Sequence, residues 1–197
     1  MDASCPTAKN ATEYLGCTPN FRTDLYATRA TVMTHKESIQ LINSYGLMLS
    51  PEAKTPSVKM PFKGFTQAAF AQKIIDEYKQ AGISASRVWP QSFLIDDIYY
   101  WIDHEPTFAK QAIYLDERVD AGPSNFTAAV ASLPSLAQRG VKIVAPAIYA
   151  LVALDATNTT IIPSSYSVAA KAAGLDIITW SLDRSGFLNK GMFATIL

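Results

Sequence analysis

A carboxylate and an amine stand two residues apart where a short apolar run ends, and they are the first candidates for chemistry. The run LMLS is followed by Pro51, Glu52 and, two residues further on, Lys54. In an extended strand, side chains two residues apart point to the same face. The pair could present a ligand for a hard cation beside a donor to anionic oxygens. The simpler alternative is that Glu52 forms a salt bridge with Lys54 or pairs with a helix N-terminus.

Other polar and aromatic residues follow apolar runs later in the chain. Asp116 and Glu117 end the run QAIYLDE, and paired carboxylates are what a glycosidase needs. Adjacent strand residues point to opposite faces, however, so these two are not expected to face one substrate. We interpret Asp183 and Arg184 as a structural ion pair, and Trp89 as a core or rim aromatic residue.

Helices and strands are predicted to alternate from Thr34 onward. The segment THKESIQLINSYG predicts a helix, because Thr34 and Glu37 fit a capping box and Gly46 follows the last apolar residue of the pattern. Each predicted strand follows a helical segment, and the strands lie near positions 49, 88, 113, 143 and 178. This alternation predicts parallel βα units, either doubly wound or closed into a (β/α)8 barrel.

Of these two architectures, the barrel is favoured. Neither GxGxxG nor GxxxxGK[ST] occurs, so nucleotide-binding doubly wound folds lose their usual sequence support. A barrel places its chemistry at the carboxyl ends of its strands, where the polar residues described above stand. Because only five of the eight βα units are predicted, we expect an α/β fold of the TIM-barrel type that is incomplete.

Composition limits the classes of partner. The 197 residues include 17 basic and 17 acidic side chains, so no global field favours nucleic acid or an anionic membrane. No apolar stretch approaches the roughly 20 residues of a transmembrane helix. The first residues, MDASCPTAKNATEYLGC, lack the apolar core of a secretory signal. We therefore expect a globular chain that binds no nucleic acid and has no transmembrane segment.

Sequons and cysteines indicate a secreted lineage. Asn10, Asn125 and Asn158 begin N-glycosylation sequons, where chance predicts about one. Cys5 and Cys17 stand in a polar segment without a CxxC motif or a Cys/His cluster, so they form either one disulfide or two free thiols. Because sequons matter only in a secreted chain, we expect an extracellular location.

The motifs SPEAK, VWPQSF, IYLDERVD and TWSLDRSG stand in this order on the predicted βα units. Together they resemble the glycerophosphodiester phosphodiesterase family, especially its secreted fungal members, over a range from roughly Tyr14 to Gly186. It implies a (β/α)8 barrel that hydrolyses a small-molecule glycerophosphodiester to glycerol 3-phosphate and an alcohol with a divalent metal, calcium or magnesium. The five units then correspond to strands four to eight. We divide the chain into a polar N-terminal segment or insertion, 1–33, and a partial barrel, 34–197.

The resemblance also implies roles for five residues. Glu52 matches one of three carboxylate ligands of the family's metal, and Lys54 matches the lysine that faces phosphate oxygen. Gln91 and Phe93 match residues that line the substrate pocket. Trp180 is expected to pack against the glycerol end of the substrate.

The family's other catalytic motifs have no counterpart in this sequence. The His-Arg-Gly, Glu-x-Asp and His-Asp motifs are absent, and neither His35 nor His104 matches a catalytic position. One carboxylate of three leaves little affinity for a divalent ion, so we expect the chain alone to be inactive. A non-catalytic phosphate- or glycerol-binding remnant and a glycoside hydrolase are the alternatives. The exposed strand edges of an incomplete barrel also predict self-association.

Overall fold

The computed structural model of the chain describes residues 9–10 and 31–180. All helices and strands named below belong to one compact unit, Met33–Ser181. Both cysteines, and the ion pair predicted between Asp183 and Arg184, lie outside the described residues. No helix within the described ranges combines the length and the apolar character that crossing a membrane requires.

Helix α1 (His35–Ser44) begins at the predicted capping box. The Thr34 hydroxyl accepts a hydrogen bond from the Glu37 backbone N–H at 3.3 Å, and the Thr34 N–H donates to Glu37 Oε2 at 2.7 Å. These bonds satisfy donors that have no partner inside the helix. Gly46 lies just beyond the C-cap with φ +70°, a left-handed conformation that glycine adopts without strain. The predicted start and end of this helix are therefore confirmed.

The remaining helices connect the strands. They are α2 (Gln67–Gln80), α3 (Ile95–His104), α4 (Pro106–Ala109), α5 (Pro123–Arg139) and α6 (Ser165–Ala172). Helix α3 ends just before Pro106, and Pro106 opens α4, because proline at a first helical position loses no hydrogen bond. Trp101 of α3 is fully buried and donates its indole N–H to the carbonyl of Ala71 in α2 at 3.0 Å.

The predicted parallel sheet is confirmed. The strands are β1 (Glu52–Ala53), β2 (Gln91–Ser92), β3 (Ile113–Asp116), β4 (Ile143–Pro146), β5 (Val152–Leu154), β6 (Ile161–Pro163) and β7 (Asp176–Ile177). Five of them form one parallel sheet in the order β1-β2-β3-β4-β7, so spatial order follows chain order. Parallel bridges between Leu49 and Val88 and between Ala147 and Trp180 add to this pairing. Among the described strands, β1 and β7 end the sheet, and self-association through such edges stays a prediction.

The two faces of the sheet have different neighbours. On one face, Tyr114 and Val144 pack with the helices, and Ser92 donates to Asp97 Oδ2 of α3 at 2.7 Å. The opposite face, called the aromatic face below, consists of Ile113, Leu115, Ile143 and Ala145, with Trp89, Phe93 and Trp180 packed against them. Because side chains alternate along a strand, the helices cover one face and aromatic rings cover part of the other.

A two-stranded hairpin interrupts the last βα unit, and it was not among the predicted elements. Strands β5 and β6 pair antiparallel, with Val152 opposite Pro163 and Leu154 opposite Ile161. Every residue of both strands is exposed. The hairpin therefore forms a separate two-stranded sheet and does not extend the parallel sheet.

Candidate functional site

Glu52 and Lys54 meet at the end of β1. The Lys54 ammonium lies 2.9 Å from Glu52 Oε2, with side-chain exposures of 78% for the lysine and 22% for the glutamate. The two side chains therefore lie on the same side of the chain, as their spacing predicts. The salt bridge that was the simpler alternative is also present, and it uses one of the two carboxylate oxygens.

The other oxygen of Glu52 has no partner. Among the described residues, Oε1 of Glu52 is the one buried side-chain nitrogen or oxygen atom without a hydrogen bond. Leaving such an acceptor unsatisfied costs about 1–3 kcal/mol, and native structures leave few of them. This oxygen is therefore open to a cation or to a hydrogen-bond donor from outside the described residues.

Gln91 is the neighbour of Glu52 in the sheet. The two residues are paired in register between the parallel strands β1 and β2, so their side chains point to the same face. Gln91 Nε2 lies 3.5 Å from the carbonyl of Ser50, which is long for a hydrogen bond. The side-chain amide is therefore weakly held and can turn toward a ligand.

Phe93 and Trp180 are in contact on the aromatic face. Their rings meet edge to face, with centroids 5.6 Å apart and planes at 78°. The indole N–H of Trp180 donates to the carbonyl of Ala145 in β4 at 2.8 Å, which fixes the orientation of the ring. Within the described residues, no hydrogen bond, ion pair or ring contact joins this pair to Glu52 or Lys54. The predicted site residues thus form two groups, one polar and one aromatic.

A groove that the sequence did not predict lies beside Glu52. It has a volume of about 550 Å³, and helices α1 and α2 contribute His35, Lys73 and Glu77 to its lining. His35 Nδ1 lies 2.8 Å from Glu77 Oε2, and the Lys73 ammonium lies 2.7 Å from Glu77 Oε1. The Lys73–Glu77 pair, four residues apart on one helix, is visible in the sequence. The contact from His35 to α2 is not, because it spans 42 residues.

The charges in this groove are balanced internally. Burial raises the pKa of Glu77, but hydrogen bonds and charge from Lys73 and His35 outweigh it and leave the pKa below its usual value. His35 Nε2 lies 3.3 Å from the hydroxyl of Tyr78, so both ring nitrogens have partners within the protein. His35 therefore joins α1 to α2 and is not a free general base.

The ring of the second histidine, His104, contacts a residue of its own helix. His104 Nδ1 lies 3.0 Å from the carbonyl of Tyr100, and the two rings stack with centroids 4.3 Å apart. His104 is exposed at the end of α3. Neither histidine contacts Glu52 through a hydrogen bond or ion pair among the described residues.

Asp116 forms a salt bridge with Arg118 at the end of β3. It is fully buried, and Arg118 reaches both of its oxygens, with Nε and one Nη each 2.7 Å away. The hydroxyl of Tyr166 in α6 donates to Asp116 Oδ2 at 2.9 Å. The adjacent Glu117 is exposed. The two carboxylates therefore have opposite environments, because Asp116 ends β3 whereas Glu117 begins a short 3₁₀ helix, and this speaks against a glycosidase pair at this position.

Sequence comparison identifies a relative of this chain. An extracellular protein of Arthroderma benhamiae is 49% identical to it over 192 residues, an alignment that covers 96% of the chain and 78% of the relative. The chain belongs to the family of this extracellular protein. A search against known protein families found no match.

The extracellular family fits one prediction directly. The sequons predict an extracellular location, and the name of the Arthroderma benhamiae relative confirms it. That name contains no reaction or substrate. The resemblance to glycerophosphodiester phosphodiesterases therefore stays a prediction.

The resemblance predicts a divalent metal, but the described residues do not form a complete site for one. Within the described ranges, no three His, Cys, Asp or Glu side chains come together as metal ligands. Calcium takes about six to eight oxygen ligands and magnesium about six, whereas Glu52 offers one open oxygen. Glu52 thus has the chemistry of a single ligand and not of a closed site.

Proposed function

We propose that this chain is a protein of the glycerophosphodiester phosphodiesterase type, and that its described part forms the substrate-binding side of the site. The observation that carries the proposal is the buried, unpartnered Oε1 of Glu52 beside the Lys54 ammonium. An ion pair kept only for stability has no need of an unsatisfied buried oxygen, whereas a ligand-binding carboxylate does. The motif resemblance supports the same residues.

The sheet supports a barrel as the finer description of the fold. Its five parallel strands follow one another in chain order, whereas a doubly wound sheet reverses its order at a switch point. In a barrel the face opposite the helices is the packed interior, and the aromatic face has the composition for that role. We assign the five units to strands four to eight of a (β/α)8 barrel.

In this proposal each group binds a different part of a glycerophosphodiester. The exposed ammonium of Lys54 offsets the charge of the phosphate oxygens. The amide of Gln91 donates to an oxygen of the substrate. Phe93 and Trp180 pack their rings against the carbon atoms of the glycerol.

Hydrolysis requires groups beyond those of the described residues. His35 contacts Glu77 in α2, and His104 contacts the carbonyl of Tyr100 in α3. Within residues 31–180, no complete set of metal ligands comes together. We therefore assign no step to a metal ion here. The described part is proposed to bind the diester or its glycerol 3-phosphate product without cleaving it alone.

Calorimetric titration with glycerol 3-phosphate tests the binding role. Lys54→Ala is expected to weaken binding about tenfold, which corresponds to about 1.4 kcal/mol, because one charge-assisted contact is lost. Lys59→Ala is the matched control, since it removes an exposed lysine five residues away and should leave affinity unchanged. Equal affinities for the two variants, or no binding by the wild-type chain, would contradict the proposal.

A non-catalytic binding protein is the second candidate, because no three potential metal-ligating side chains come together within the described residues. Incubating the purified chain with glycerophosphocholine separates the two. We expect no release of choline. Release that Glu52→Gln abolishes would instead show that the chain is an active diesterase.

A further inference from the structure

The sequons occupy different kinds of structure. Asn158 begins the sequon Asn-Thr-Thr in the connection between β5 and β6, where its backbone φ is +55° and its side chain is exposed. Asn125 begins the sequon Asn-Phe-Thr inside the first turn of α5. N-glycans are bulky and belong on surface loops of secreted proteins, so these two positions are not equivalent.

The hairpin turn holds Asn158 outward without using its side chain. Asp155 Oδ1 accepts the backbone N–H groups of Thr157 at 3.2 Å, Thr159 at 3.0 Å and Thr160 at 3.3 Å. The backbone N–H of Asn158 donates to the Asp155 carbonyl at 3.0 Å. One carboxylate thus organises the turn, and the Asn158 side-chain amide makes no hydrogen bond within the described residues.

The third residue of each sequon distinguishes the two sites further. A sequon requires a hydroxyl at this position. The Thr127 hydroxyl of the helical sequon donates to the carbonyl of Pro123 at 3.0 Å, so it is engaged in the first turn of α5. The Thr160 hydroxyl of the hairpin sequon has no hydrogen-bond partner among the described residues. The hairpin sequon therefore presents both of its recognised groups to solvent.

The two strands beside Asn158 expose apolar side chains that a hydrophilic group would shield from solvent. Strands β5 and β6 expose large apolar side chains, with relative exposures of 50% for Val152, 47% for Leu154 and 71% for Ile161. A contiguous exposed apolar surface is an aggregation liability in a secreted protein. A glycan at the tip of the hairpin would make this end of the molecule more soluble.

We propose that Asn158 carries an N-linked glycan in the secreted protein and that Asn125 does not. Asn158 Nδ2 forms a bond to the anomeric carbon of the first N-acetylglucosamine of a lipid-diphosphate-linked oligosaccharide. The bond from that carbon to the phosphate oxygen breaks, its electron pair leaves with the lipid diphosphate, and Nδ2 loses one proton. The modification is independent of the proposed phosphodiester site.

Site-resolved mass spectrometry of the full chain, secreted from a eukaryotic host, tests this. We expect a glycan on the peptide that contains Asn158, and conversion of Asn158 to aspartate when an amidase releases the glycan. The peptide that contains Asn125 is expected to be unmodified. A bare Asn158 in the secreted wild-type protein would overturn the proposal, and so would a glycan on Asn125.

Two matched pairs of variants sharpen the test. Thr160→Ala removes the sequon and should abolish the glycan, whereas Thr159→Ala keeps the sequon and should retain it. The Asn158→Gln protein should be lighter than the wild-type protein by the mass of one glycan. The Asn125→Gln protein should carry the same mass of attached sugar as the wild-type protein. Because the wild-type peptide map needs no variant, the proposal is testable even if a substitution prevents secretion.

Discussion

Asp116 and Glu52 are both carboxylates at ends of parallel strands, but the protein satisfies them to different degrees. Asp116, on the helix-facing side, receives hydrogen bonds on both oxygens from Arg118 and Tyr166. Glu52 receives one ion pair from Lys54, and its Oε1 is buried without a partner in the described part of the chain. The comparison separates a carboxylate that stabilises the fold from one that remains available to a ligand.

The largest effect is expected from Asp116→Asn. The substitution leaves the half-buried guanidinium of Arg118 without its counter-charge, and we expect unfolding to require about 2–4 kcal/mol less free energy. Urea denaturation measures this loss. Glu117→Gln is the control, because this exposed neighbour should change stability by less than about 0.5 kcal/mol. If the two substitutions reduced stability equally, Asp116 would not be a carboxylate that stabilises the fold.

Glu77 should behave like Asp116, although it lines the same groove as Glu52, because both of its oxygens have partners. Its folded-state pKa is below the ordinary value of 4.5, so its contribution is present above about pH 4.5 and is lost as the pH falls through the lower folded-state value. We expect Glu77→Gln to reduce stability by about 1–2 kcal/mol at pH 7.

Thermal unfolding between pH 7 and pH 3 checks this prediction for Glu77. The variant should lose less stability than the wild-type protein on acidification, because it no longer takes up a proton at this position. Glu117→Gln, which changes an exposed carboxylate, is the control variant. An unchanged acid slope in Glu77→Gln would show that the ion pairs with Lys73 and His35 do not contribute.

Among the substitutions of Asp116, Glu77 and Glu52, the smallest effect on stability is expected from Glu52→Gln. The substitution removes an ion pair to a largely exposed lysine, which contributes about 0–1 kcal/mol, and it also removes a partly buried charge with one unsatisfied oxygen. These two effects oppose each other, so urea denaturation should detect a change of less than about 1 kcal/mol. A loss of stability as large as that of Asp116→Asn would mean that Glu52, like Asp116, stabilises the fold.

Local signals allowed much of the fold to be predicted. The Thr34–Glu37 capping box, and the contact between Glu52 and Lys54, depend on residues within three positions of each other. Five strands were likewise predicted from apolar runs that follow helical segments. Such features need no knowledge of which elements pack together.

Contacts distant in sequence could not be predicted. The His35–Glu77 pair spans 42 residues and the Tyr166–Asp116 bond spans 50, so each depends on how two helices or a helix and a strand pack. The unpartnered Oε1 of Glu52 is likewise a property of the packed structure. The hairpin of β5 and β6 does have a local signal, the turn residues between LVAL and IIP, but it does not follow the alternation of helices and strands.

Titration of wild-type, Glu52→Gln and Glu117→Gln chains with glycerol 3-phosphate in calcium-containing buffer tests the role of Glu52 most directly. If the open oxygen of Glu52 binds a ligand, Glu52→Gln should weaken the affinity at least about tenfold, or about 1.4 kcal/mol. Glu117→Gln should match the wild-type chain. Equal affinities for all three chains would contradict the account, because the buried oxygen of Glu52 would then have no part in binding.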